Sequence, residues 1–222
     1  MIMNTSIIYK NLLGESITQR QALQMRDHHL KEFYENSFLK KVEYYDDYGK
    51  INGFSYYLSD DEDLLSTVSN YSKIYGAVSY YVNRRTSGVF ESWDRQFYDG
   101  MTKVKQETFV YDDKRRTIAH RKFDILNNEV FGTIKYFYLE DFIEYVLQPG
   151  DEVFEFDYND PDLDPGDIIV YINIGSYDDG DGCVISGSEN IFVDNSNLAN
   201  IFDWNDHSYY HSADPLLPTT NV

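Results

Sequence analysis

One short piece recurs in this chain and constrains it most: Tyr45-Asp-Asp-Tyr-Gly-Lys50, Tyr98-Asp-Gly-Met-Thr-Lys103 and Tyr111-Asp-Asp-Lys-Arg-Arg116. In each, an aromatic residue closes a strand and Asp accepts hydrogen bonds from the backbone just beyond it. The chain then reverses into a new strand. A looser copy, Tyr177-Asp-Asp-Gly-Asp-Gly182, lacks the base and is read the same way. Residues 40–58 therefore read as two strands about a turn at 46–49. Further strands fall near 77–83, 88–97, 103–111, 116–124 and 130–138. The 21 Tyr and 14 Phe fit this, because a Tyr ring packs on a half-buried sheet while its hydroxyl stays wet.

Helices are predicted on either side of the first hairpin. Ser16-Ile-Thr-Gln19 fits a capping box, and Leu23, Leu30, Phe33 and Tyr34 fall near one face, so residues 16–38 read as a helix. A second is expected from Ser59, with Asp60, Asp61, Glu62 and Asp63 at the positive end of its dipole. Leu64, Leu65, Val68, Tyr71 and Tyr75 form its apolar face, and Gly76 stops it. A short helix is expected at 139–148. Pro149-Gly150 and Pro165-Gly166 each preset a turn into a strand, the first alternating through Phe154, Phe156 and Tyr158, the second nearly all apolar from Ile168 to Ile174. Glu189 to Asp194 reads as a third strand. The fold class expected is α+β: two N-terminal helices, an antiparallel β meander, a short helix and a smaller acidic C-terminal sheet. Residues 1–222 read as one domain, with sub-regions 1–148, mixed α/β, and 149–222, acidic and β-rich.

The charge is distributed unevenly. Residues 136–222 contain neither lysine nor arginine and hold 19 of the 38 acidic residues, so the whole net charge of −19 lies beyond Lys135. Such a chain repels nucleic-acid phosphates and anionic membranes and favours cations and basic proteins. No membrane span or secretory signal is evident and the single cysteine, Cys183, implies no oxidising compartment, so a cytoplasmic location is expected.

Three constellations could carry chemistry. Asp157, Asn159, Asp160, Asp162, Asp164 and Asp167 alternate as oxygen ligands of calcium would, but Pro165 stands where an EF-hand loop has glycine and Tyr171 where it has glutamate. His207 and His211, with Asp203 and Asp206 nearby, have zinc-like spacing but no glutamate after the first histidine. Cys183 has Asp178, Asp179 and Asp181 around it, which disfavour a thiolate. No cofactor and no metal are expected. The acidic turns are instead read as a partner-binding surface: Asp157, Asp160, Asp162, Asp164, Asp167, Asp178, Asp179 and Asp181, with Trp204 as an aromatic anchor.

Lys41-Val-Glu-Tyr-Tyr-Asp-Asp-Tyr-Gly-Lys-Ile-Asn-Gly53 resembles the Tyr-rich, Gly-Lys-containing hairpins of bacterial MORN-like repeat proteins, some of them antitoxin components. The acidic, aromatic-rich chain is similar in style to the immunity proteins that bacteria make against their own toxins. That resemblance implies a monomeric or homodimeric binding protein that neutralises a basic partner by occlusion. A nuclease toxin suits it, since such an enzyme presents a basic surface to phosphates. The alternatives are a metal-dependent hydrolase using the C-terminal carboxylates and a calcium-dependent adhesion module.

Overall fold

The computed structural model describes residues 4–24, 28–138, 154–159, 163–174, 177–186 and 190–219. It is mostly β. Thirteen strands appear among the described residues: β1 (Thr5–Asn11), β2 (Ser16–Ile17), β3 (His29–Glu35), β4 (Phe38–Tyr45), β5 (Ile51–Tyr57), β6 (Ala77–Ser87), β7 (Phe90–Asp99), β8 (Thr102–Tyr111), β9 (Thr117–Phe123), β10 (Val130–Phe137), β11 (Phe154–Asp157), β12 (Ile168–Ile174) and β13 (Tyr177–Ile185). They hydrogen-bond in chain order from β3 to β13, with β1 between β2 and β3. The helices are α1 (Gln19–Gln24), α2 (Leu64–Tyr75), α3 (Ile191–Asp194) and α4 (Ser196–Ala199), with a 3-10 turn at Ser208–His211. Among the described residues no helix is long and apolar enough to cross a membrane.

The expected α+β class with two N-terminal helices is therefore wrong. The capping box exists, but at Thr18 and Gln21: the Thr18 amide and hydroxyl both donate to Gln21 Oε1 at 2.8 Å, and the Gln21 amide donates back to Thr18 Oγ1. It caps only six residues. From His29 the chain is a strand, and Asn36 and Ser37, at φ 50° and 67°, turn it directly into β4 with Glu35 facing Phe38. Two consecutive left-handed residues are what a type I′ hairpin requires and no α-helix admits. Leu30, Phe33 and Tyr34 mimicked a helical stripe because rings lie on both faces of β3. Phe33 sits under the ammonium groups of Lys31 and Lys41, while the Tyr34 hydroxyl donates to Glu32 at 2.8 Å.

The second helix is real but begins later. Asp63 is its N-cap, accepting from the Ser66 amide at 2.8 Å, and Gly76 at φ 71° ends it. This helix links β5 to β6, which pair in parallel with Tyr56 opposite Tyr80, so the sheet is mixed. Of the strand expected at 189–194, the described residues 190–194 form a cap and a helix instead: Asn190 caps α3 by accepting from the Phe192 amide at 3.0 Å. The strand lies earlier. The Tyr177–Gly182 piece, expected as a turn, runs within β13, already paired to β12 at Tyr177 opposite Ile174. The expected helix at 139–148 and the turn at 149–150 lie outside the described residues.

The three full Tyr-Asp pieces do form hairpins, and two share one geometry. Asp46 exchanges backbone hydrogen bonds with Lys50 and Gly49 as Asp112 does with Arg116 and Arg115. The Asp side chain accepts from the residue four ahead, at 2.8 Å in both. The residue three ahead is left-handed in both, Gly49 at φ 72° and Arg115 at φ 67°. A second regularity satisfies the aromatic donors. A carboxylate two residues earlier on the same strand face accepts from Tyr34, Tyr45 and Trp93, the acceptors being Glu32, Glu43 and Glu91.

By compactness the chain divides into two units, Met1–Asn83 with Asp94–Gln106, and Arg84–Trp93 with Glu107–Val222. In the first, α2 lays Leu64, Val68, Tyr71 and Tyr75 over Phe54, Tyr56, Val78 and Tyr80, with the Phe54 and Tyr75 rings stacked at 3.9 Å. Beside this core the buried Lys40 pairs with Glu62, which also accepts from the Tyr56 hydroxyl and the Ser59 amide at 2.7 Å. In the second, Phe154, Phe156, Val170 and Ile172 of β11 and β12 pack under Phe192, Leu198, Phe202 and Tyr210. The short helices and the 3-10 turn thus close one face of the acidic strands with aromatic rings.

Candidate functional site

The second unit holds the acidic region. Asp157 ends β11, half-buried, and its carboxylate accepts from the Asn159 amide at 3.1 Å. Asp164 is exposed and Asp167 half-buried on the turn before β12, where the Asp167 amide donates to the Asp164 carbonyl around Pro165-Gly166. Asp157 faces Ile169 across the ladder, so these three carboxylates share the loop end of the β11–β12 pair. Asp160 and Asp162 lie outside the described residues. Asp178 and Asp179 are placed by backbone register in β13, opposite Asn173 and Ile172, and Asp181 follows in the same strand.

Trp204 is half-buried. Its ring stacks on His211 at 4.3 Å and lies against Phe156 and Phe192, so only part of it is open to a partner. Sequence reasoning left three further exposed carboxylates out of the binding surface: Asp194 at the end of α3, and Asp203 and Asp206 in the following turn. Asp194 accepts from the Asn190 amide and Asp203 from the Asn205 amide, which orients both.

What surrounds these acids is decided by Lys135, the last basic residue. Its side chain is completely buried, and Nζ donates to the carbonyls of Tyr209, Ser212 and Pro215 at 2.6, 2.8 and 3.0 Å. The ammonium also lies 3.7 Å from the centre of the Tyr209 ring. Three donors meet three acceptors, which is what makes a buried ammonium tolerable. Burial foremost, and then the neighbouring Arg121 charge, push its pKa down to about 7, against the pull of Asp214. Arg121 donates to the Ala213 carbonyl and to Asp214, both at 2.8 Å. Two cations, 14 residues apart in sequence, thereby pin the backbone of residues 209–215.

Two further basic side chains of this unit are engaged within the β8–β9 hairpin, Arg116 with Asp112, and His120 with the buried Glu107 at 2.9 Å. Arg121–Asp214 is an ion pair that reaches a carboxylate beyond Lys135. Among the described residues, Asp157, Asp164, Asp167, Asp194, Asp203 and Asp206 have no ion pair.

The other sequence candidates are built into packing. His207 stacks on Phe202 at 4.5 Å, and burial lowers its pKa while Asp206 and Asp203 raise it. His211 Nε2 donates to the Trp204 carbonyl. Cys183 is half-buried against the C-terminal core. Among the described residues no group of three or more His, Cys, Asp or Glu is placed to hold a metal ion. No family model, no curated protein and no solved structure matches the chain.

Proposed function

We propose that this chain is an acidic binding protein that captures a basic protein through the second unit and neutralises it by covering its functional surface. The observation that carries this reading is the set of carboxylates Asp157, Asp164, Asp167, Asp194, Asp203 and Asp206, which have no ion pair among the described residues. Charges without internal partners act at long range, and they steer an oppositely charged protein at encounter. Their turns and caps hold several of them in place before binding, which reduces the ordering cost of association. A toxin of nuclease type presents the matching surface, because it must hold phosphates. An immunity protein that occupies those phosphate sites with carboxylates would act by occlusion alone.

The test is capture of partners from the native cell by the wild-type chain and by the triple variant D164K/D203K/D206K, with circular dichroism to confirm folding. Wild type should enrich a basic protein, and the triple variant should lose it. Purified, the pair should associate at least about tenfold more slowly with the triple variant, the difference shrinking as salt screens the encounter. Enrichment of partners that are not basic, or equal capture by both chains, would refute the reading.

A further inference from the structure

In the first unit, β1 has half of its outer edge open. It lies between β2 and β3. On the β3 side it is paired from Thr5 to Asn11, but β2 pairs with only Tyr9 and Lys10. Successive residues of an antiparallel strand turn their backbone N–H and C=O to opposite sides. The Asn4 carbonyl accepts from the Asn36 amide at 2.8 Å, on the β3 side, and the Asn11 amide donates to the Glu15 carbonyl at 3.1 Å, on the β2 side. Odd-numbered residues of β1 therefore turn their polar backbone outward. Those of Tyr9 and Asn11 meet the β2 hairpin, whereas those of Thr5 and Ile7 pair with no described residue. The segment from β2 to β3, α1 included, has to pass over a face of β1, because those strands flank it on opposite sides. Thr5, Ser6 and Ile7 stay exposed, Ile7 at 51%.

Open sheet edges are usually defended by charges, prolines or bulges. The strand at the other margin of the sheet is defended so: β13 carries Asp178, Asp179 and Asp181 and a left-handed Gly182. Asn4-Thr-Ser-Ile-Ile8 has no charge and no proline, and β1 pairs with β3 without a register shift. The open stretch is also complementary to itself. About a two-fold axis at Ser6, Thr5 of one chain stands opposite Ile7 of the other, and each such pair exchanges two hydrogen bonds. Every open group on both edges is then satisfied, and the two exposed Ile7 side chains meet diagonally across the axis. A register centred on Ile7 would instead set Thr5 opposite Tyr9, where Ile17 is already paired. A basic protein finds no carboxylate on this stretch, so a second copy fits it better than the partner proposed above.

We propose that two copies of this chain pair antiparallel through residues 4–8 of β1 and so continue one sheet into the other. Sedimentation equilibrium of the full chain should show reversible dimerisation with a dissociation constant on the order of 100 µM, as suits an interface of a few residues a side. Rising salt should not weaken it, because the pairing strands are uncharged while the net charge of −19 sets the two chains against each other.

The Ile7 N–H points away from β3, so Ile7→Pro removes an edge donor and leaves that ladder intact. It should weaken the dimer about tenfold or more with the circular dichroism spectrum unchanged. Ser6→Lys and Ser6→Glu place like charges opposite each other across the axis. Each alone should weaken association about tenfold, and an equimolar mixture of the two should restore it. The Ser6 pair is not hydrogen-bonded, which sets its Cα atoms about 4.5 Å apart, within disulfide reach. In a Cys183→Ser background, Ser6→Cys should therefore cross-link on oxidation and Thr5→Cys should not. A chain that stays monomeric at millimolar concentration would overturn the assignment. So would a dimer that tolerates Ile7→Pro and Ser6→Lys, or cross-linking through Thr5→Cys in place of Ser6→Cys.

Discussion

Replacing Lys135 with methionine removes the ammonium and keeps a stem of similar shape in a fully buried position. The carbonyls of Tyr209, Ser212 and Pro215 lose their donor. Those of Ser212 and Pro215 belong to exposed residues and can take water, whereas Tyr209 is buried, so one orphaned acceptor dominates at about 1–3 kcal/mol. Losing the desolvated charge offsets part of this. Destabilisation of about 2 kcal/mol is expected near pH 7.5. It should then grow with pH, and the sign follows from linkage. The folded-state pKa is depressed to about 7, so between 7 and the unfolded value near 10.4 the unfolded chain holds a proton that the folded chain does not. Raising pH stabilises wild type over that window and leaves the methionine variant untouched. From pH 7.5 to pH 9 the gap between the two should widen by about 2 kcal/mol, from the slope of 1.4 kcal/mol per pH unit and the partial titration near 7. Both tryptophans, Trp93 and Trp204, belong to the second unit, so urea unfolding followed by their fluorescence reports on it. Comparing the two proteins at each pH cancels every group they share. A gap that stays flat would mean that the three carbonyls keep the ammonium charged in the folded protein, and the argument from burial would be refuted.

Two further outcomes follow from backbone geometry. Ser37 sits at φ 67° in the two-residue turn between β3 and β4, so Ser37→Gly should stabilise the first unit by about 0.5–1 kcal/mol, measured by thermal unfolding. Gly182 in β13 is at φ 74°, and a Cβ there would come within 2.6 Å of Ile169 Cγ2 and 3.1 Å of Tyr171. The β12–β13 register shifts between Val170 and Ile172, a bulge opposite Gly182, so Gly182→Ala should cost the second unit about 2 kcal/mol or more, and an unchanged urea midpoint would contradict that geometry.

Local chemistry was legible wherever the chain's own neighbours decide its conformation. The Asp-centred hairpins at 46–50 and 112–116 form because an Asp side chain finds the backbone within four residues, so no distant contact is needed to specify them. The same holds for Gly76 ending α2, for the Pro165-Gly166 turn and for the strands from β6 to β10. Where burial on both faces blurs the period, sequence misled: rings on either side of β3 imitate a helical stripe, and only Asn36-Ser37 signals the turn that forbids one. The Asn190 cap was equally local but was outweighed by the apolar run that follows it. The site divides in the same way. That the charge lies beyond Lys135 follows from sequence alone, since composition needs no fold. That Lys135 is buried under Tyr209, 74 residues further on, and that Arg121 reaches Asp214, 93 further on, are contacts whose separation no local pattern encodes. Those long-range contacts engage Lys135 and Arg121, while Asp157, Asp164, Asp167, Asp194, Asp203 and Asp206 have no ion pair among the described residues. Whether a charge is compensated depends on distance in space, and only the tertiary structure supplies that.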